Sequence, residues 1–161
     1  MIPPRTVAAL AVFAAMQATF DGVHSPADQI VQTCGDAAAK GRPGHEGRAA
    51  AARHAASYTA TQTIAMLAVT RLLGYRPRTS AVAAAAAITG VSHYAIDRRA
   101  GFIKLLHRLG KKPYLDHATV QRRDGVVDAG GPGTALMELD QAAHRGIGVV
   151  TTAIAAYLAT R

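Results

Sequence analysis

Residues 79–97 read TSAVAAAAAITGVSHYAID, and this stretch decides the fold. Its first eighteen residues carry no formal charge and are rich in Ala, the best helix former. It ends with His93 and Asp97, which are four residues apart and therefore share one face of a helix. The stretch predicts an apolar helix that presents an imidazole and a carboxylate together at its C-terminal end.

Three further stretches have the same charge-free character: residues 6–20, 54–70 and 146–160. The chain has 36 Ala and no Trp, and it has few of the β-branched or aromatic runs that are typical of strands. At 161 residues we therefore predict a single all-α domain, a four-helix up-down bundle. Residues 102–112 are amphipathic and predict a short helix between the third and fourth long helices.

The missing charge over four stretches favours a bundle that crosses a membrane, because surface helices of soluble proteins normally carry a charged face. Two basic segments, residues 35–53 and 98–133, are predicted loops and hold four and eight Lys or Arg respectively. The excess of positive charge places both loops in the cytoplasm and both termini outside.

Two features of this membrane prediction stay open. Residues 6–20 are similar to the apolar part of a signal peptide. We expect them to be retained as a helix, in which Pro26 introduces a kink or break. Each stretch only just reaches the roughly 20 residues that a spanning helix needs. A soluble Ala-rich bundle that binds anionic partners, to which the net charge of +8 is suited, is therefore an alternative.

The up-down topology brings four His and three Asp to the cytoplasmic end of the bundle, because helices 1 and 3 end where helices 2 and 4 begin. These residues are His24, Asp28, His54, His93, Asp97, Asp140 and His144. Imidazole nitrogen and carboxylate oxygen together suit Zn, Mn or Fe, so we predict a divalent metal site. Three neighbouring guanidinium groups are candidates for binding an anion such as phosphate: Arg98, Arg99 and Arg145.

Two functions of different classes follow from this cluster. A metal with an open coordination position activates water, which predicts a metal-dependent hydrolase of a phosphoester or lipid-linked substrate. The other function is a non-enzymatic membrane adaptor, in which the His–Asp pairs are interhelical hydrogen bonds and the basic loops contact anionic lipid headgroups or a protein partner. Nucleic acid is not expected as the primary partner, because aromatic residues for base stacking are scarce. The lone Cys34 excludes an intramolecular disulfide.

Four short motifs occur in a fixed order along the chain. They are HSPADQIVQ (residues 24–32), His54, HYAID (residues 93–97) and DQAAH (residues 140–144). The set, over roughly residues 20–160, resembles a bacterial family of small multi-span membrane proteins known as domain-of-unknown-function 3307. Ser25 and Pro26 depart from the apolar residues that the family has after its first His. The resemblance implies an integral membrane protein and no particular activity.

Overall fold

The structure is a computed structural model that describes residues 2–161, and it confirms a mostly helical chain with several long packed helices. In chain order the elements are α1 (Pro4–Ser25) with a π-helical extension (Pro26–Ile30), α2 (Cys34–Ala39), α3 (Gly44–Leu72), α4 (Thr79–Asp97), α5 (Ala100–Arg108), α6 (Lys112–His117), β1 (Val120–Gln121), β2 (Val127–Asp128) and α7 (Ala135–Ala159).

The four long helices form a ring. α1 packs against α3 and α7, and α4 packs against the same two helices. The chain termini and the α3–α4 turn meet at one end, where the Arg78 guanidinium donates to the Arg161 carbonyl at 2.7 Å and the Tyr75 hydroxyl donates to the Ala159 carbonyl at 2.6 Å. The His/Asp motifs lie at the opposite end, which we call the site end.

The chain does not break at Pro26, where a kink or break was expected. The helix continues for five more residues with wider π-helical turns, in which the Val31 amide donates to the Pro26 carbonyl at 3.1 Å. A single π-helical segment inside a helix shifts the face on which the following side chains lie. Asp28 lies in this segment and is 4% exposed, so the segment turns its carboxylate into the bundle.

The two segments predicted as loops contain regular structure. Residues 35–53 include α2 and the first ten residues of α3, because the Ala-rich sequence from Arg48 to Arg53 favours helix despite its charges. Residues 98–133 include α5, which corresponds to the short helix predicted over residues 102–112, and also α6 and the antiparallel β1–β2 hairpin. Asp-Gly is a strong hairpin signal, and Gly125 adopts a positive φ of 80° at this turn.

α1 and α7 pack tightly where Gly148 faces the ring of Phe20. A Cβ atom at Gly148 would lie 2.2 Å from Phe20 Cε1, whereas a Cβ atom at Gly146 would meet nothing within 4 Å. We therefore expect Gly148→Ala to lower the free energy of unfolding by about 1–3 kcal/mol through overpacking. Thermal unfolding followed by circular dichroism measures this. Gly146→Ala is the matched control and should be neutral or slightly stabilising, so equal losses for both variants would contradict the close packing.

Candidate metal centre

Three segments of the chain bring four ionisable side chains together at the site end. The π-helical extension of α1 supplies Asp28, α3 supplies His54, and the last two turns of α4 supply His93 and Asp97. All four are buried, with exposures between 1% and 4%. We call these four residues the tetrad.

The tetrad atoms that face one another are closely and evenly spaced. Nε2 of His54 lies 2.9 Å from Nε2 of His93 and 3.0 Å from Oδ1 of Asp28. Oδ2 of Asp97 lies 3.2 Å from the His54 nitrogen and 3.1 Å from the His93 nitrogen. The His93 nitrogen is 3.5 Å from Oδ1 of Asp28. Two facing ring nitrogens between two buried carboxylates need a positive centre, either a proton on a ring or a metal ion.

Each tetrad carboxylate divides its two oxygens between different partners. Oδ2 of Asp28 accepts a hydrogen bond from Nε2 of Gln141 at 2.7 Å, and Oδ1 of Asp97 pairs with Nζ of Lys40 at 3.0 Å. The remaining oxygens, Oδ1 of Asp28 and Oδ2 of Asp97, face the ring nitrogens. Outer partners of this kind orient the carboxylates that bind metal ions in proteins.

A chain of hydrogen bonds fixes Asp28 from the bundle interior. Nε2 of Gln62 donates to the Tyr58 hydroxyl at 3.2 Å. The Tyr58 hydroxyl in turn donates to Nδ1 of His24 at 2.7 Å. Nε2 of His24 then donates to Oε1 of Gln141 at 3.0 Å. The direction follows because the amide nitrogens can only donate. Both ring nitrogens of His24 are thereby engaged, so His24 supports the tetrad from outside it.

The His93 ring is held by packing rather than by a hydrogen bond to its second nitrogen. The Tyr58 ring stacks on it at a centroid distance of 3.9 Å, and the His144 ring lies 4.2 Å away. Among residues 2–161, Nδ1 of His93 and Nδ1 of His54 have no hydrogen-bond partner. The stacked Tyr58 ring therefore positions the His93 imidazole, a task that an outer carboxylate or carbonyl commonly has in zinc sites.

The fourth motif supplies a further buried imidazole beside the tetrad. Nδ1 of His144 lies 2.9 Å from the carbonyl oxygen of Asp140 and 3.3 Å from its Oδ2. Nε2 of His144 is buried and has no hydrogen-bond partner in the described part of the chain. His144, His93 and Asp97 offer ligand atoms within 4.8 Å of one another, so they form a second group that could hold an ion.

A cavity of about 290 Å³ adjoins the tetrad. Its polar lining includes Asp28, Asp97, Asp140, Lys40 and Arg99, and its outer wall includes Gly130, Gly131 and Pro132. The three arginines predicted to bind an anion lie in different places in the structure. Arg99 lines the cavity, Arg98 donates to the Lys40 carbonyl at 2.6 Å, and Arg145 lines a different cavity.

The outer wall of this cavity is braced by Asp128. Its Oδ1 accepts hydrogen bonds from the amides of Gly130 and Gly131 at 2.8 and 2.9 Å, and its Oδ2 pairs with Nη2 of Arg122 at 2.6 Å. These contacts, first the Gly130 amide and then the Arg122 guanidinium, lower the pKa of Asp128 to about 2. The Asp128 carboxylate therefore stays ionised at neutral pH and keeps these contacts.

Sequence reasoning missed two residues that the structure places at this site. Tyr58 lies one helical turn after His54, so its spacing signalled a shared face. Lys40 carried no such signal, because it follows α2 in a segment that was predicted to be a basic loop. Its ammonium group reaches the tetrad because α2 packs against α3.

Comparisons of the chain with protein-family models, curated proteins and solved structures gave no match. The family resemblance of the motifs therefore stays an expectation, and function must be argued from the site. The fold and the site define a helical bundle with a buried His/Asp group that could hold a metal ion.

Proposed function

We propose that the protein is a membrane metalloprotein that binds a divalent ion in the tetrad and uses it to hydrolyse a phosphoester or lipid-linked substrate. The spacing of the tetrad atoms carries this proposal. A zinc ion lies roughly 2.0–2.2 Å from its ligands, so tetrahedral ligand atoms are about 3.3–3.6 Å apart. Five pairs of tetrad atoms lie 2.9 to 3.5 Å apart, close to the spacing of zinc ligands.

The ligand types favour zinc among the candidate metals. Two imidazoles and two carboxylates suit Zn, and also Mn or Fe when further ligands complete a larger coordination shell. Hydrolysis needs a coordination position beyond the four tetrad atoms, as in five-coordinate zinc. Asp28 and Asp97 lie both in the tetrad and on the cavity wall, so this position would open to the cavity. His144 is a candidate additional ligand for the larger shell.

The apolar outer surface of the helices supports the membrane part of the proposal. Two helical segments, Pro4–Ile30 and Thr79–Asp97, are long and apolar enough to cross a membrane. Only 22% and 28% of the residues in their most apolar windows are buried, whereas a core helix of a soluble protein is mostly buried. α3 also exposes Ile64, at 68%. The positive-inside rule then puts the site end in the cytoplasm of a bacterial inner membrane.

The chain's own residues have separate roles in this reaction. A tetrad-bound divalent ion supplies the Lewis acidity for hydrolysis. Gln141 and Lys40 hold the carboxylates in position, while the stacked Tyr58 ring fixes His93. The wall braced by Asp128 bounds the space in which a substrate would sit. Asp140 also lines that space and contacts His144.

Elemental analysis tests the proposal directly. The protein is purified in detergent without a metal-affinity column, and its content of Zn, Mn and Fe is measured by inductively coupled plasma mass spectrometry. We expect about one divalent ion per chain, which follows from one tetrad. Protein that holds no ion, even after dialysis against each metal, would exclude the metalloprotein and the hydrolase together.

The hydrogen-bond chain through Tyr58, His24 and Gln141 favours a second candidate function. It joins α3, α1 and α7 directly, as interhelical bonds do in membrane bundles without enzymatic activity. Such an adaptor would use the exposed Leu105 of α5, Leu109 just after it and their basic neighbours to contact anionic lipid headgroups or a protein partner. Metal-free but fully folded protein is the result expected for this adaptor.

A further inference from the structure

We propose that Arg99 and Lys40 form an anion subsite for a phosphate monoester group beside the metal centre. This inference rests on the proposed function and narrows its substrate to a class. The two cations line the same 290 Å³ cavity as the tetrad carboxylates. Guanidinium and ammonium groups are the usual partners of phosphate oxygens in proteins.

Arg99, which lines the cavity, has a strained backbone conformation. Arg99 has a φ of 54°, the one positive φ at a non-glycine position in residues 2–161. Such conformations cost free energy and persist where the surrounding structure enforces them, often at functional sites. At Arg99 the strain lies between α4 and α5, where the chain turns the side chain toward the cavity.

Two glycines make room for the Arg99 side chain. A Cβ atom at Gly41 would lie 3.0 Å from its Cδ, and a Cβ atom at Gly130 would lie 2.6 Å from its Nη1. Nη2 of Arg99 donates to the Gly130 carbonyl at 3.1 Å, which anchors one edge of the guanidinium. Within residues 2–161 no carboxylate lies within ion-pair distance of this group, so its charge is available to a ligand.

Lys40 supplies the second cation from the tetrad side of the cavity. Its side chain is 11% exposed, and Nζ lies 3.0 Å from Asp97 Oδ1 and 4.0 Å from Asp28 Oδ1. An ammonium group has three donors, so contacts to these carboxylates leave a donor for a ligand. Lys40 and Arg99 therefore offer donors from different sides of the same space.

The charges in the cavity lining make anion binding depend on the metal. Three carboxylates and two cations leave the lining with one excess negative charge. A divalent ion in the tetrad reverses this to one excess positive charge. Metal and phosphate then promote each other's binding, as thermodynamic linkage requires. The volume is at the small end of ligand pockets, which favours a phosphorylated headgroup or metabolite over an acyl chain.

Isothermal titration of the detergent-purified, zinc-loaded protein with inorganic phosphate tests the subsite. We expect phosphate to bind at least about tenfold more tightly with zinc than without it. Arg99→Met should weaken this binding by about tenfold or more, because it removes charged hydrogen bonds. Arg99→Lys should lose less, since it keeps the charge. Arg108→Gln, on the exposed face of α5, is the control and should bind as the parent does.

Zinc content and circular dichroism are recorded for every variant. If zinc binds but phosphate does not, or if Arg99→Met binds phosphate as the parent does, the subsite is overturned while the metal centre stands. If no zinc binds, the proposed function fails and the metal-dependent subsite fails with it. Competition by glycerol phosphate or by vesicles containing phosphatidic acid then distinguishes a soluble ligand from a lipid headgroup.

Discussion

Asp97→Asn should reduce the affinity for zinc by more than about 100-fold. Outer partners of metal ligands alone are worth about 10–100-fold in affinity, and Asp97 supplies a ligand atom directly. Its Oδ2 lies 3.2 Å from the ring nitrogen of His54 and 3.1 Å from that of His93. An amide in its place cannot offer an anionic oxygen to the ion. Competition with a chromophoric zinc chelator measures the change.

Asp140→Asn is the matched control for this prediction. Asp140 is also an aspartate of the motif set, and it also lines the cavity, but its nearest ring contact is His144 rather than the tetrad. We expect the Asp140→Asn variant to keep zinc affinity within about tenfold of the parent, the low end of the cost of losing an outer partner, because Asp140 contacts His144 and not a tetrad side chain. Equal losses in both variants would mean that the ion is not centred on the tetrad.

Loss of Asp97 also affects the folded protein, because Lys40 loses its nearest carboxylate. Breaking a buried ion pair costs about 3–5 kcal/mol, so unfolding must be measured alongside affinity. His93→Gln provides a second route, since it removes a ring nitrogen and leaves both tetrad carboxylates and their contacts with Lys40 and Gln141 in place. If Asp97→Asn and His93→Gln both fold and both retain zinc, the tetrad is not the metal centre.

The fold was predictable because four stretches lack charge and the boundaries between them are marked. α4 begins at Thr79, where the charge-free stretch begins, and ends at Asp97, the first charged residue after that stretch. α3 was less predictable, because it starts ten residues before the uncharged stretch. Helix propensity in Ala-rich sequence does not depend on burial, so charge content alone marked the wrong start.

The spacing of residues predicted where in the bundle the candidate site lies, but not which residues form it. The i,i+4 pairs and the alternation of helix direction placed the His and Asp motifs at one end, and the structure brings them together there. Spacing cannot say which members share a centre. His24 is separated from the tetrad by its bonds to Tyr58 and Gln141, and these contacts depend on how α1, α3 and α7 are rotated.

Lys40 is a site residue that the sequence pattern could not predict. It enters the site through the packing of α2, a six-residue helix in a segment whose basic composition suggested a solvated loop. A basic residue in such a segment is usually exposed, whereas the Lys40 side chain is 11% exposed. Only the three-dimensional arrangement assigns it to the tetrad, because no periodicity links α2 to the long helices.

Ile64→Arg should prevent stable insertion of the chain into a bilayer. Ile64 lies near the centre of the uncharged part of α3 and is 68% exposed on the outer surface of the bundle. Arginine at the centre of a spanning helix costs about 2.5–3.5 kcal/mol in insertion free energy, which is on the order of a 100-fold change in the inserted fraction. Carbonate extraction of membranes, followed by quantification of the pellet and supernatant, measures that fraction.

The same substitution separates a membrane bundle from a soluble one. On the water-facing surface of a soluble protein, Ile64→Arg would change stability by no more than about 0.5 kcal/mol and would increase solubility. Val126→Arg is the control, because Val126 is 59% exposed in the β-hairpin turn outside the long helices. We expect Val126→Arg to insert as the parent does. A folded Ile64→Arg protein that stays in buffer without detergent would contradict the membrane assignment and leave the tetrad as the core of a soluble bundle.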